Sequence, residues 1–158
     1  MAASARSSEP FPELALADLD GLVQPLRSAW RAGEALILIG HGDCPTTRLA
    51  LPFFERIHRR RTRGTALLVL QDDAEAARVL QAELGLSVPI RLEPAPYALA
   101  SELRLEAVPT LFLVDRGGRI VRASAGFDRD VLQDLAVLMG VDGPLFAPGD
   151  DAPVFRPG

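Results

Sequence analysis

Ala35-Leu-Ile-Leu-Ile39 is an unbroken apolar run that stops at Gly40. A strand with apolar side chains on both faces must be covered on both faces, as in a sheet sandwiched between helices. Thr65-Ala-Leu-Leu-Val-Leu70 repeats the pattern. Between the two runs, Leu49, Phe53 and Ile57, with Ala50 and Phe54 beside them, recur at the spacing of a core-facing helix. Pro45 suits its first helical position, which makes Cys44 the N-cap. Pro52 interrupts the pattern and predicts a kink. Arg59-Arg60-Arg61 ends it.

The same reading extends along the chain. Asp73 to Leu84 is an amphipathic helix closed by Gly85, with Ala77, Leu80 and Leu84 on one face. Val88 to Leu92 is a short third strand, and Pro96 to Leu103 a short helix. Leu111–Asp115 and Arg119–Arg122 flank Gly117-Gly118 as a hairpin, and Arg129 to Met139 is a last helix. Upstream, Leu14 to Val23 alternates around Asp20-Gly21, which predicts an N-terminal β-hairpin ahead of the main sheet. Alternating strands and helices followed by an antiparallel pair imply an α/β sandwich with a mixed central sheet flanked by helices. Residues 1–10 read as a flexible lead, 11–140 as the domain, and 141–158 as a Pro/Gly-rich tail that is a strap or is disordered.

Composition removes several chemistries. All seventeen basic residues are Arg, so there is no Schiff-base lysine and no P-loop lysine. No Asn is present, which excludes a glycosylation acceptor and a Cys-His-Asn triad. A single Cys cannot close an internal disulfide, and one Cys with two His makes a poor metal set, so no metal and no cofactor are expected. The net charge of −4 argues against nucleic acid. His58 among Arg56, Arg59, Arg60, Arg61 and Arg63 reads as a solvated helix end whose charges suit the C-terminal dipole. Met1 to Glu9 has no apolar stretch of the kind a signal peptide carries, and no run is long enough to span a membrane. The expectation is a cytoplasmic protein.

The chemistry concentrates in His41-Gly42-Asp43-Cys44-Pro45-Thr46-Thr47-Arg48, at a strand-to-helix junction. A cysteine there meets free backbone amides and the positive end of the helix dipole, and both favour thiolate over thiol. Arg48, one turn on, adds positive charge if it folds back, while the Asp43 carboxylate opposes a second anion. His41 serves as a base only if its ring turns towards the sulfur.

In this setting the sequence resembles the thioredoxin-like superfamily over residues 11–139, closest to its TlpA-like and peroxiredoxin-like (AhpC/TSA) branch. Cys44-Pro-Thr-Thr47 stands where that family has Cys-x-x-Cys. Pro52 matches its helix-kinking proline, and Glu106-Ala-Val-Pro109-Thr-Leu-Phe-Leu-Val-Asp115 resembles the segment carrying its cis-proline. Gly118 and Gly126 match glycines of the following hairpin. The resemblance implies that Pro109 is cis and that Val108 and Pro109 border Cys44, where the family pairs an extended substrate segment. It also marks departures. Thr47 replaces the second cysteine, Asp43 the preceding aromatic, and Leu38 the buried acid. Ile37 and His41 occupy the Pro and Thr of the peroxiredoxin Pro-x-x-x-Thr-x-x-Cys pattern.

A dithiol reductase is thereby disfavoured and a monothiol route remains. Cys44 would attack a disulfide or oxidised thiol, and an external thiol would release it. Thr47 would hydrogen-bond the thiolate, with His41, Asp43, Pro45, Arg48, Val108 and Pro109 shaping the substrate groove. The expected partner is a protein or low-molecular-weight thiol or disulfide; the sequence does not specify an oligomeric state. The alternatives are a redox-inactive binding module and a Cys44-dependent peroxidase. A resolving cysteine or selenocysteine beyond Gly158 would restore two-centre chemistry, and the intact mass of the protein from its own organism tests that.

Overall fold

The structure is a computed structural model, and it describes residues 8–158. Residues 1–7 of the expected lead lie outside the described residues, whereas its last residues are paired: the Ser8 amide donates to Ile120 O (2.6 Å) and Pro10 bridges Arg119. The chain then forms β1 (Ala15–Ala17), β2 (Val23–Pro25), a 3-10 turn (Leu26–Ala29), β3 (Ala35–Gly40), α1 (Pro45–Arg60), β4 (Thr65–Leu70) and α2 (Ala74–Leu84). It continues with β5 (Ile90–Leu92), α3 (Ala98–Glu102), β6 (Thr110–Val114), β7 (Ile120–Ala125), β8 (Phe127–Asp128), α4 (Arg129–Leu138) and β9 (Phe155–Arg156).

Seven strands make one mixed sheet in the order β2-β1-β5-β4-β3-β6-β7. β3 runs parallel to β4 and antiparallel to β6, so the strand that leads into Cys44 lies at the centre. Every residue of β3 is buried. Strand alternation then divides the core in two. Leu36 and Leu38 face α1, α2 and α4 through Phe54, Ile57, Leu80, Leu132 and Leu135. Ile37 and Ile39 face the other layer, made by Phe11, Leu26, Trp30, Leu99 and Leu103. The double burial that the apolar run demanded is met in this way.

The expected N-terminal hairpin forms as β1 and β2, with Gly21 at φ +87° in its turn. It does not stand ahead of the sheet but joins it, Ala17 of β1 pairing with Leu92 of β5. The helix ends follow their capping residues: Asp73 accepts from the Ala76 amide (2.8 Å), Asp128 accepts from the Val131 amide (3.1 Å), and Gly85 closes α2 in the left-handed region.

The tail is a strap. Val141 and Leu145 are buried, and Phe146 lies on Phe53 with ring centroids 4.7 Å apart. Beyond them β9 pairs antiparallel with β8. Arg56 of α1 holds the strap in place by donating to Leu145 O (2.9 Å) and to Asp150 (2.8 Å). Among the described residues, no helix is long and apolar enough to cross a membrane.

Candidate active site

Cys44 sits where β3 gives way to α1. Its backbone is extended (φ −83°, ψ 118°) and Pro45 is the first helical residue. The loop before it is closed on itself through His41 and tied to the chain after β4 through Asp72. The Gly42 amide donates to both Asp72 oxygens (2.9 and 3.1 Å), the Cys44 amide to His41 O (3.0 Å), and the Asp43 amide to His41 Nδ1 (3.1 Å). A Cβ on Gly42 would lie 2.6 Å from Asp72 Oδ2, so a side chain there would have to push the Asp72 carboxylate aside.

The opposite wall comes from the loop before β6. Register places Thr110 beside Ile39, which brings Val108 and Pro109 to the end of the central strand. The Val108–Pro109 peptide is cis, as is Ala95–Pro96. Cys44 is half-buried, and its thiol donates to Val108 O (Sγ···O 3.4 Å). The Gly126 amide donates to Pro109 O (2.8 Å), fastening this wall to the start of β8.

The remaining expected site residues divide. Asp43 and Pro45 are exposed at the mouth. Thr47 is fully buried, and its hydroxyl accepts from the His41 amide (3.4 Å) instead of meeting the sulfur. Because His41 Nδ1 accepts from Asp43 N, that nitrogen is turned to its own loop and away from the thiol. Arg48 does fold back, donating to Gly42 O (3.3 Å), but Glu83 takes its other nitrogen (2.9 Å) and balances its charge. The expected stabilisation of the thiolate by Thr47 and Arg48 is therefore not built by direct contact. The basic end of α1 stays exposed at Arg59, Arg60 and Arg63, and its arginines also meet the neighbouring chain. Arg60 donates to Pro144 O and Asp142 O, Arg63 to Leu138 O, and burial pushes the His58 imidazole below its usual pKa. Glu55 opposes that shift, and Arg61 and Arg59 add to it.

Residues that the sequence did not single out complete the cleft. Thr46, buried in the first turn of α1, donates its hydroxyl to Pro157 O (2.7 Å). At Gly126 a Cβ would meet Arg156 O at 2.6 Å, and one on Gly158 would collide with Val108 O. The tail therefore returns to the cysteine. The Leu145-Phe146 pair in an otherwise Pro/Gly-rich stretch was the available signal that this segment docks. Among the described residues, no cluster of three His, Cys, Asp or Glu side chains could hold a metal.

No family model matches the sequence, and no curated protein matches it. Solved structures do match. A thiol:disulfide interchange protein from Bacteroides sp. superposes with a TM-score of 0.76 at 18% identity, over 87% of this chain and 92% of that one. The thioredoxin domain of a thiol-disulfide oxidoreductase from Bacteroides vulgatus gives 0.75 at 17% identity, over 85% and 98%. The fold is thioredoxin-like. A peroxidoxin from Mycobacterium tuberculosis shares it, with a TM-score of 0.73 at 13% identity over 85% and 96% of the two chains. On this thioredoxin-like frame Cys44 occupies the junction between the central strand and the helix, with Val108 and Pro109 across the cleft.

Proposed function

We propose that this thioredoxin-like chain is a monothiol thiol-disulfide oxidoreductase of TlpA-like type, with Cys44 as its nucleophile. The observation that carries the reading is the Cys44 thiol at the N-cap of α1, half-buried and 3.4 Å from the Val108 carbonyl beside Pro109. The Cys44 thiolate attacks one sulfur of a disulfide, forming a mixed disulfide and expelling the other sulfur as a thiolate that takes up a proton. An external thiol, deprotonated, then attacks the substrate sulfur of the mixed disulfide. That step returns the Cys44 thiolate and leaves the substrate sulfur bonded to the incoming thiol. Two electrons are exchanged between sulfurs, and no metal or organic cofactor takes part.

Val108 and Pro109 line the groove for a protein or low-molecular-weight disulfide, with His41, Asp43, Pro45 and Arg48 at its mouth. Thr47 acts through the His41 loop it anchors and is a positioning residue. The chemistry suits a reducing compartment such as the cytoplasm, where a lone cysteine stays a thiol and releasing thiols are at hand.

Incubation with glutathione disulfide, followed by intact mass, tests the proposal. The wild type forms a mixed disulfide at Cys44 that added thiol reverses, and it transfers thiols to a disulfide substrate; Cys44→Ser does neither. Absence of transfer in the wild type, with partner binding intact in Cys44→Ser, overturns the enzyme reading in favour of a binding module. Peroxide consumption that depends on Cys44 would instead select the peroxidase, whose fold the mycobacterial peroxidoxin shares.

A further inference from the structure

We infer that residues 153–158 are a built-in occupant of the Cys44 cleft, and that an extended segment of a partner protein reaches the thiol only when this segment lifts. The role of that partner as a substrate rests on the proposed thiol chemistry; the occupancy does not.

The segment touches both walls that frame the sulfur. Its strand β9 lies on β8, with Arg156 beside Phe127 and Phe155 beside Asp128. The Arg156 carbonyl lies where a side chain on Gly126 would be, the Pro157 carbonyl takes the hydroxyl of Thr46, and Gly158 abuts the Val108 carbonyl. That carbonyl also accepts the Cys44 thiol. Thiol and tail therefore converge on one oxygen. The occupant is extended, and its contacts run through backbone carbonyls and small residues. A partner segment using the same surface must likewise be extended, with little side chain opposite Gly126 and Val108.

The strap is held unequally along its length. Its first part is anchored in the core: Leu145 is buried, Phe146 lies against Phe53 and Phe127, and Arg56 clasps both Leu145 O and Asp150. Its end is held by the short β8–β9 ladder, the Arg129 amide on Val154 O (3.0 Å) and the Thr46 bond, with Val154 69% and Phe155 43% exposed. A segment with few buried contacts opens at low free energy while its anchor stays in place. The end can thus lift from the cysteine without disturbing the core, and the anchor holds it near enough to return.

The test compares alkylation of Cys44 by a polymer-linked maleimide and by iodoacetamide, in the full chain under native conditions. Arg156→Pro is the informative variant. The Arg129 amide donates to Val154 O, so two residues on the Arg156 amide also faces β8, and proline deletes that donor. Hydrogen exchange at β8 and β9 reports whether the end has lifted. The bulky-to-small rate ratio should rise by roughly fivefold in Arg156→Pro, because the observed rate scales with the open fraction. Millimolar Pro-Val-Phe-Arg-Pro-Gly peptide should lower it again.

A wild-type ratio in a variant whose exchange has accelerated overturns the inference. So does unchanged exchange, since the ladder would then contribute nothing to docking, and so does a released variant that ignores the peptide. None of these readouts needs turnover. If Cys44→Ser abolishes no activity, the enzyme reading fails while the occluded cleft stands.

Discussion

At Gly40 a Cβ would lie 2.6 Å from the Thr47 methyl, 3.1 Å from its hydroxyl and 3.2 Å from a Leu38 methyl. The last residue of β3 and the first turn of α1 are therefore in direct contact, and Thr47 fills the space that a side chain at Gly40 would need. Gly40→Ala should destabilise the protein by roughly 1–3 kcal/mol through overpacking, read from the denaturation midpoint. It should also slow mixed-disulfide formation at Cys44, because Thr47 moves together with the His41 amide it bonds. Thr47→Ser keeps the hydroxyl and removes the methyl, so Gly40→Ala should be partly rescued in the double variant. Rescue of stability without rescue of the Cys44 rate would show that Thr47 has no positioning role.

One buried carboxylate joins two pieces of the fold at the scale of elements, α1 and the segment that enters β5. Glu55 of α1 accepts from the Ser87 amide (2.9 Å), the Ser87 hydroxyl, the Val88 amide (3.0 Å) and Arg59 (2.6 Å). It fixes the chain as it enters β5. Burial raises its pKa, but the hydrogen bonds from Ser87, Arg59 and Val88 outweigh that and leave the carboxyl below its usual value. A carboxylate depressed by folding stabilises the native state above the unfolded pKa of about 4.3. The contribution fades as pH falls through the lower native value. Glu55→Gln places an amide donor among donors and should cost roughly 1–3 kcal/mol at pH 7. The difference from wild type should shrink in acid, which urea denaturation at pH 7 and at pH 3 would measure. The helix carrying Glu55 was legible in its apolar spacing; its polar clasp was not, because Ser87 and Val88 lie more than thirty residues away.

At the scale of the whole molecule the strap runs from the far end of α1, at Arg56, to the neighbourhood of Cys44, at Thr46 and Val108. Arg56 holds the Asp150 carboxyl down to about 2, with help from the Ala147 amide. In a released strap the same group would titrate near the ordinary value of about 3.9. Asp150 therefore favours docking fully above about pH 4, less as acid is added, and not at all once pH has fallen through about 2. Protection of the β9 amides against hydrogen exchange, taken relative to the intrinsic rate at each pH, should fall over that range in wild type, and Asp150→Asn should show the lowered protection already at pH 7 with little further change. A second consequence concerns proximity. A cysteine appended after Gly158 should form a disulfide with Cys44 when diamide removes two electrons and two protons from the pair. Cys44→Ser should abolish the cross-link; persistent failure in the docked protein would show that the tail ends elsewhere.

The apolar runs at 35–39 and 65–70, the helical spacing between them and the Pro45 start were enough to locate the sheet, the helices and the cysteine at the junction. Those features are local, and periodicity records them directly. The neighbours of the sulfur depend on pairings between distant segments. Ile39 beside Thr110 brings the Val108 carbonyl to the thiol. Glu83 takes the charge of Arg48, and the His41 loop takes the hydroxyl of Thr47. Nor does the composition of the tail, rich in Pro and Gly, distinguish a loose end from a docked one. The places that Leu145 and Phe146 occupy are formed by α1, β8 and α4 together. The chain's own residues thus determined the frame and the position of Cys44; the tertiary structure alone decided what faces it, because those contacts join segments far apart in the chain.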